Sequence, residues 1–467
     1  MLFNSVHFLV FLPVVTTVYF LMPLQTRRVF LLAASFYFYC VWSITWSLLL
    51  IYSTVLDYTA ALAIGRSKRA VVRNVALGAS LAGNLLALGI FKYFDFFRGS
   101  VGALLGVPAG PALDLVLPLG ISFYTFQTMS YTIDVYRGIL RPTRSIVDFA
   151  LFVTFFPQLV AGPIMRAPDL LPQFSERHQP NSDRILSGTL LCLWGLLKKV
   201  FVADPMGYIV ESVYGTAAAP LAPVGFSGLA LLVATYAFAV QIYCDFSAYS
   251  DIARGAGRIL GFRIMRNFDA PYLAVTMSEF WSRWHISLST WLRDYLYVPL
   301  GGNRLGALRT YINLSVTMLL GGLWHGANWT FVAWGGFHGL CLTVERLIGI
   351  RRLDRSRMSP AEQWCRGLVT FHLVCLGWVL FRSPSLDHAL HVVWRIVTMA
   401  DGPATSVVPV FGLAVLLAFQ LTRLRATLHT ELLRRPGISR WVVYATGILL
   451  LVALSGSRTP EFIYFQF

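Results

Sequence analysis

The residues best suited to chemistry lie in the middle of the chain, among apolar neighbours. Gly321-Gly322-Leu323-Trp324-His325-Gly326-Ala327-Asn328-Trp329 sits inside an apolar run from Leu314 to Leu342. A histidine in such a run is costly in a bilayer and by default faces the bundle interior or a cavity. Imidazole titrates near neutrality, which suits a general base. His325 and Asn328 are spaced i, i+3, so on one helix they share a face. The neighbouring glycines leave room for a ligand or for a second backbone. The structural alternative is a histidine that hydrogen-bonds within a helix bundle.

A second candidate, His285, lies 40 residues upstream, in Trp281-Ser282-Arg283-Trp284-His285-Ile286-Ser287. Two histidines at membrane depth could converge on one site, or His285 could be an interfacial residue among tryptophan anchors. Asp245, Asp251 and Arg254 fall in Tyr243-Cys244-Asp245-Phe246-Ser247-Ala248-Tyr249-Ser250-Asp251-Ile252-Ala253-Arg254. Charges at mid-bilayer cost roughly 2.5–3.5 kcal/mol each on insertion scales, so these should pair or line a polar cavity. A structural ion pair is the favoured reading, with substrate binding as the alternative. Other motifs fail. No Walker A, HExxH or GxSxG pattern occurs, which removes support for phosphate-loop, zincin and ordinary serine-hydrolase chemistry. His388 and His391 have a metal-like spacing, but no Cys or carboxylate cluster completes a shell, so no metal is expected.

The elements that must position these groups are set by composition. Of 467 residues, 56% are hydrophobic and 13% charged, and mean hydropathy is +0.63. Soluble chains carry about 25% charged residues. A cytosolic enzyme, a disordered chain and a disulfide scaffold are excluded, and an all-α integral membrane protein remains. The net charge of +16 falls in short clusters between apolar runs: Arg27-Arg28, Arg66 to Arg73, Arg137 to Arg144, Lys198-Lys199, Arg351 to Arg357 and Arg434-Arg435. That pattern fits positive-inside loops facing anionic lipid headgroups, and nucleic-acid binding is not expected.

The six cysteines lie in or beside apolar stretches without CxxC spacing and read as small buried hydrophobes. The run Phe8 to Leu24, followed by Arg27-Arg28, reads as a retained first span with the N-terminus outside the cytoplasm. Roughly 11–13 membrane-embedded helices are expected, with Gly/Pro/Ala-rich connections at 97–112 and 212–224. Residues 262–304, rich in charge and tryptophan, read as amphipathic or partly inserted helices at an interface. One integral-membrane domain over 1–467, with a motif-rich core at about 115–340, is the simplest organisation.

Taken in order, the motifs resemble the membrane-bound O-acyltransferase family (MBOAT), and within it the bacterial alginate-type polysaccharide-acetylating group. The resemblance rests on Pro118 to Gln127, Tyr131 with Asp134 to Arg137, Phe155 to Gln158, Ala161 to Ile164, Asp245 to Asp251, Trp281 to Gly302, Gly322 to Gly326, and the aromatic ending 462–467. It implies a multi-helix bundle around a central funnel. It also implies catalytic roles for His325, matching the family's near-invariant histidine, and for His285, matching its second position, which is His or Asn. Trp324, Asn328 and Asp245 are expected to support the site. The implied donor is cytoplasmic acetyl-CoA, with no metal. The implied acceptor is an extracytoplasmic, alginate-like polysaccharide, reached directly or through a periplasmic acetyltransferase, from a multi-pass position in a bacterial inner membrane. Peptidoglycan or cellulose acetylation and lipid or protein acylation are alternatives within the family. A proton-coupled transporter is the alternative of another class.

Overall fold

Hydroxyl side chains mark where many of the helices begin. Ser5, Ser43, Ser145, Thr276, Ser359 and Ser385 each accept a hydrogen bond from a backbone N–H of the first turn, satisfying a donor that the helix itself leaves open. The structure, a computed structural model, describes residues 1–108, 110–215, 225–350 and 355–403. Most of the 212–224 connection, Arg351-Arg352, Arg434-Arg435, the apolar runs near 413 and 448, and the ending 462–467 lie outside the described residues. Among those described, the regular elements are helical. The chain divides into two compact units, Met1–Cys192 with Tyr249–Met265, and Leu193–Ala248 with Arg266 onward.

The first unit contains α1 (Val6–Leu21), α2 (Leu24–Cys40), α3 (Ile44–Arg66), α4 (Ala70–Leu88), α5 (Phe94–Leu105), α6 (Ile121–Tyr136), α7 (Ile146–Thr154), α8 (Phe156–Leu159), α9 (Ala167–Leu170) and the start of α10 (Ser182–Lys198). A buried polar network ties α3, α4 and α6 together. The Asp57 carboxylate is fully buried and accepts from Ser80 Oγ, from Thr132 Oγ1 at 3.1 Å and from Asn84 Nδ2 at 2.7 Å. Such a group is tolerable only because its lone pairs are satisfied. Gly120, in the Pro118–Gln127 motif, has φ +75°, and a Cβ there would lie 2.7 Å from the Leu159 carbonyl oxygen. Only glycine meets both conditions.

The second unit contains the end of α10, α11 (Asp204–Tyr214), most of α12 (Gly228–Leu260), α13 (Met277–Arg283), α14 (Ile286–Leu292), α15 (Ala307–His325), α16 (Trp329–Leu347), α17 (Pro360–Arg382) and α18 (Leu386–Val397). α15 and α16 form a hairpin held close by glycine. A Cβ on Gly322 would sit 2.2 Å from the Phe331 carbonyl oxygen, and one on Gly335 2.2 Å from that of Met318. Small residues bring backbones together in this way where lipid supplies no hydrophobic drive between helices.

Five stretches among the described residues are long and apolar enough to cross a bilayer: Ile44–Arg66, Ala70–Leu105, Ser182–Tyr214, Gly228–Leu260 and Pro360–Arg382. With apolar side chains such as Val75, Leu86 and Leu104 facing outward, this is an all-helical membrane protein.

Four details differ from the sequence-based expectations. The first apolar run breaks at Met22-Pro23, leaving α1 with 16 residues, about 24 Å at 1.5 Å per residue. Residues 97–105 belong to α5, so that connection starts at Gly106. The pair Lys198-Lys199 is not a loop charge cluster: both lysines are buried, for the reason given below. The cysteines are also not uniformly interior, since Cys365 is exposed.

Candidate active site

The second unit places His325 as the last residue of α15, 5% exposed. Its ring packs against Trp324, Trp334 and Phe381, with centroids 5.0, 5.0 and 5.3 Å away. The helix stops there because Gly326 is extended, at φ −162°. Asn328 therefore does not share a helix face with His325. It caps α16 instead: its Oδ1 accepts from the Thr330 N–H at 3.0 Å and its Nδ2 donates to the Pro384 carbonyl at 3.0 Å. Asn328→Ala is expected to cost about 1 kcal/mol, a usual cap loss. Asn328→Asp keeps the cap but gives up the N–H donated to the Pro384 carbonyl, so it should recover only part of the loss. Thermal unfolding of the two variants in nanodiscs checks this.

His285 is fully buried, not interfacial, and it precedes α14 with φ +43° and ψ +54°. Left-handed backbone is unfavourable for a ring-bearing residue and persists only where neighbours over-determine it. Asn267 supplies much of that constraint. Its carbonyl accepts from Ile286 N–H at 2.9 Å, and its Oδ1 accepts from Ser287 N–H at 3.0 Å and lies 3.4 Å from His285 Nδ1. An acceptor at Nδ1 favours the proton on that nitrogen, leaving Nε2 with its lone pair. The His285 ring meets Phe246 edge-on at 4.7 Å and Trp324 at 6.0 Å. Trp324 thus touches both histidines, and three of the expected site residues come together.

Asp245 stands one residue from Phe246 on α12 but faces a different partner. Lys199 Nζ lies 3.0 Å from Asp245 and 2.9 Å from Asp204, and all three side chains are at most 8% exposed. Lys198 donates to Ser247 Oγ at 2.7 Å. The two lysines are buried because α12 and α11 bring these acceptors to them. In the first unit, Asp251 pairs with Arg254 at 3.2 Å. The favoured ion-pair reading of the Asp245–Arg254 stretch matches this geometry.

α13 and α14 are seven residues each, too short to span. A capping arrangement holds α13: Thr276 Oγ1 accepts from Glu279 N–H at 3.0 Å, and Glu279 Oε2 accepts from Val275 N–H at 2.7 Å. Burial pushes the Glu279 carboxyl up, but the Val275 amide, Arg283 and Arg355 outweigh it and hold it below the usual range. This frame sets Trp281 and Trp284. Trp281 Nε1–H donates to His338 Nδ1 at 3.3 Å. The ring of His338, fully buried on α16, lies 4.7 Å from that of Trp334, which in turn packs on His325.

Sequence reasoning missed His338, although it lies in the same kind of apolar run as His325 and the same cost argument applies. It also missed Asn267 and Arg346. Arg346, on α16, lines two cavities. One, of about 730 Å³, also has Asn303, Thr310 and Tyr311 in its wall. The other, of about 240 Å³, is lined by Trp281, Leu292, Arg293, Thr317 and Met318 among others. Arg346 Nη1 is buried with no hydrogen-bond partner among the described residues. No cluster of three potential metal ligands gathers among the described residues.

Comparison with known proteins gives the family and the kinds of protein this chain is similar to. The membrane-bound O-acyltransferase family, MBOAT, matches residues 140–367. A protein of Azotobacter vinelandii named "Probable alginate O-acetylase AlgI" is 43% identical over 402 residues, covering 85% of this chain and 77% of the relative. A "Peptidoglycan O-acetyltransferase" of Helicobacter pylori is 35% identical over 425 residues, covering 84% and 79%. A "Teichoic acid D-alanyltransferase" of Streptococcus thermophilus is 29% identical over 289 residues, covering 56% and 68%.

Proposed function

The chain belongs to the membrane-bound O-acyltransferase family, and from that premise we propose that it transfers acetyl groups from cytoplasmic acetyl-CoA toward an alginate-like polysaccharide outside a bacterial inner membrane. The observation that carries this reading is the pair of buried histidines, His285 and His325, that share Trp324. Acyl transfer needs a base that is kept from bulk water, and two interior imidazoles supply that chemistry. His325 takes the proton from the acceptor hydroxyl, and His285 orients or assists it. Asp245, paired with Lys199, supports the frame behind Phe246 rather than the substrate.

The donor's handle is the cavity pair at Arg346. The guanidinium suits the diphosphate of CoA, and the smaller, more apolar cavity suits the pantetheine arm. From its wall, Trp281 leads through His338 and Trp334 to His325 by direct side-chain contact. Residues 115–340 hold most of these groups, as one catalytic core. The acceptor is a polysaccharide hydroxyl, met directly or through a periplasmic acetyltransferase that receives the acetyl group. The alginate reading rests on the 43% identity to the Azotobacter protein. Peptidoglycan is the second reading, favoured by the 35% identity to the Helicobacter protein.

The test is transfer of radiolabelled acetyl from acetyl-CoA by membranes containing the chain, with alginate and peptidoglycan fragments supplied in parallel. Label in alginate, with or without an added periplasmic fraction, is the expected result. Label in peptidoglycan alone would replace the acceptor. Label in neither, with no CoA released, would sink the proposal.

A further inference from the structure

Arg346 has no anionic partner of its own. Its Nη1 is buried without a hydrogen bond, and no carboxylate among the described residues pairs with its guanidinium. The neighbouring Glu345 does not serve, because its carboxylate is taken up by α13, where it accepts from the Met277 N–H and, at 3.0 Å, from the Ser278 N–H. A guanidinium stays charged and holds five donors in one plane. One that is unpaired, with a nitrogen shut away from water, calls for an anion. Arg346 also borders open space on two sides. The larger cavity, about 730 Å³, falls within the range of about 300–1,000 Å³ usual for small-molecule sites. The smaller, about 240 Å³, falls below it.

The wall of the larger cavity suits a nucleotide better than a bare phosphate. It includes the aromatic ring of Tyr311, and every nucleobase has a π-face that stacks on such a ring. Gly306 and Gly349 also line it. Both have left-handed backbone, at φ +87° and +75°, and a Cβ on either would meet no atom within 4 Å. This part of the wall is therefore bare backbone open to a ligand's close approach. The smaller cavity is bounded by Leu292, Leu314, Met318 and Leu342, which leaves it too narrow and too apolar for a nucleotide.

We propose that the larger cavity binds the nucleotide end of the acyl donor, with Tyr311 stacked on the adenine and Arg346, which borders both cavities, on the phosphates. This rests on the acetyl-CoA reading above and adds what the donor is recognised by: a nucleotide remote from the thioester. Tyr311 is then a specificity-determining residue. It separates free CoA thioesters from the same arm presented without a nucleotide, as on a carrier protein. Binding energy from a remote group of this kind holds the donor without touching the reacting bond.

The experiment uses the full chain in nanodiscs of zwitterionic lipid. The first readout is equilibrium binding of adenosine 3′,5′-bisphosphate, which carries no thioester and needs no turnover. Wild type should bind it. Tyr311→Leu and Arg346→Met should each weaken binding by about tenfold or more, the size of losing one stacked base or one charged hydrogen bond. Ala307→Phe, which adds a ring to the cavity wall, should weaken it too, although both proposed contacts remain. The second readout is the ratio of kcat/KM for acetyl-CoA to that for acetylpantetheine. Wild type should prefer acetyl-CoA, and the preference should collapse in all three variants through KM rather than kcat. Equal use of the two donors by wild type, or bisphosphate binding that no variant weakens, would overturn the nucleotide site and leave acetyl transfer standing. Binding that depends on Tyr311 and Arg346, in a chain that transfers acetyl from neither donor, would keep the site and overturn the acetyl-CoA reading.

Discussion

Replacing His325 with alanine is expected to cut CoA release from acetyl-CoA by the protein in nanodiscs, while the protein still folds. The expected loss is about 10²–10⁴-fold, the range that a positioned general base contributes. The geometry argues for a chemical rather than a structural effect. The His325 ring touches Trp324, Trp334 and Phe381, each of which also packs elsewhere. Trp334 also meets Trp281 and Trp378, and Phe381 also meets Phe238 and Phe331. Removing one ring from such a cluster leaves a cavity but not a broken element, so thermal unfolding should shift far less than turnover. CoA release equal to wild type would remove His325 as the base. Loss of release together with loss of the folded protein would return it to a packing role.

Lys199→Met should destabilise the second unit by about 3–5 kcal/mol, the usual consequence of removing one partner from a buried ion pair. Here the effect is aggravated because one ammonium serves two carboxylates, Asp204 and Asp245, in a setting at most 8% exposed. Neutralising those partners as well, in Lys199→Met/Asp204→Asn/Asp245→Asn, should restore much of the loss, since a buried pair and its neutral replacement often differ little. Thermal unfolding in nanodiscs checks both variants. A single variant as stable as wild type would mean that water reaches this group. A triple variant no better than the single would mean that the carboxylates have a task besides pairing.

How much of this was legible from residue order depends on the range of the interaction. His325 was readable because an imidazole in an apolar run signals an interior role by its cost alone; residue order left His285 open between the interior and the interface, and the structure buries both. That the acidic residues of α12 would pair followed from the same cost. Which group pairs with Asp245 did not, because Lys199 is contributed by a different helix and reads locally as half of a basic loop cluster. The i, i+3 argument for Asn328 failed because it assumed one continuous helix. The extended backbone at Gly326 ends α15, and asparagine, a good N-cap, starts the next helix. Asn267 carries no local signal, since its importance comes from lying beside the His285 turn in space. His338 did carry the signal and was passed over beside its more conspicuous neighbour.

The left-handed backbone at His285 separates two properties that most interior positions combine. Among residues with a Cβ, asparagine is one of the few that occupies this conformation readily, and its amide is polar like the imidazole. A single substitution at 285 could therefore exchange ring for amide without disturbing the turn held by Asn267. His325, at the end of a regular helix among three aromatic rings, has no such latitude. The two histidines thus differ in how freely sequence drift can revise them: one position can be retuned between ring and amide, whereas the other is hemmed in by its neighbours.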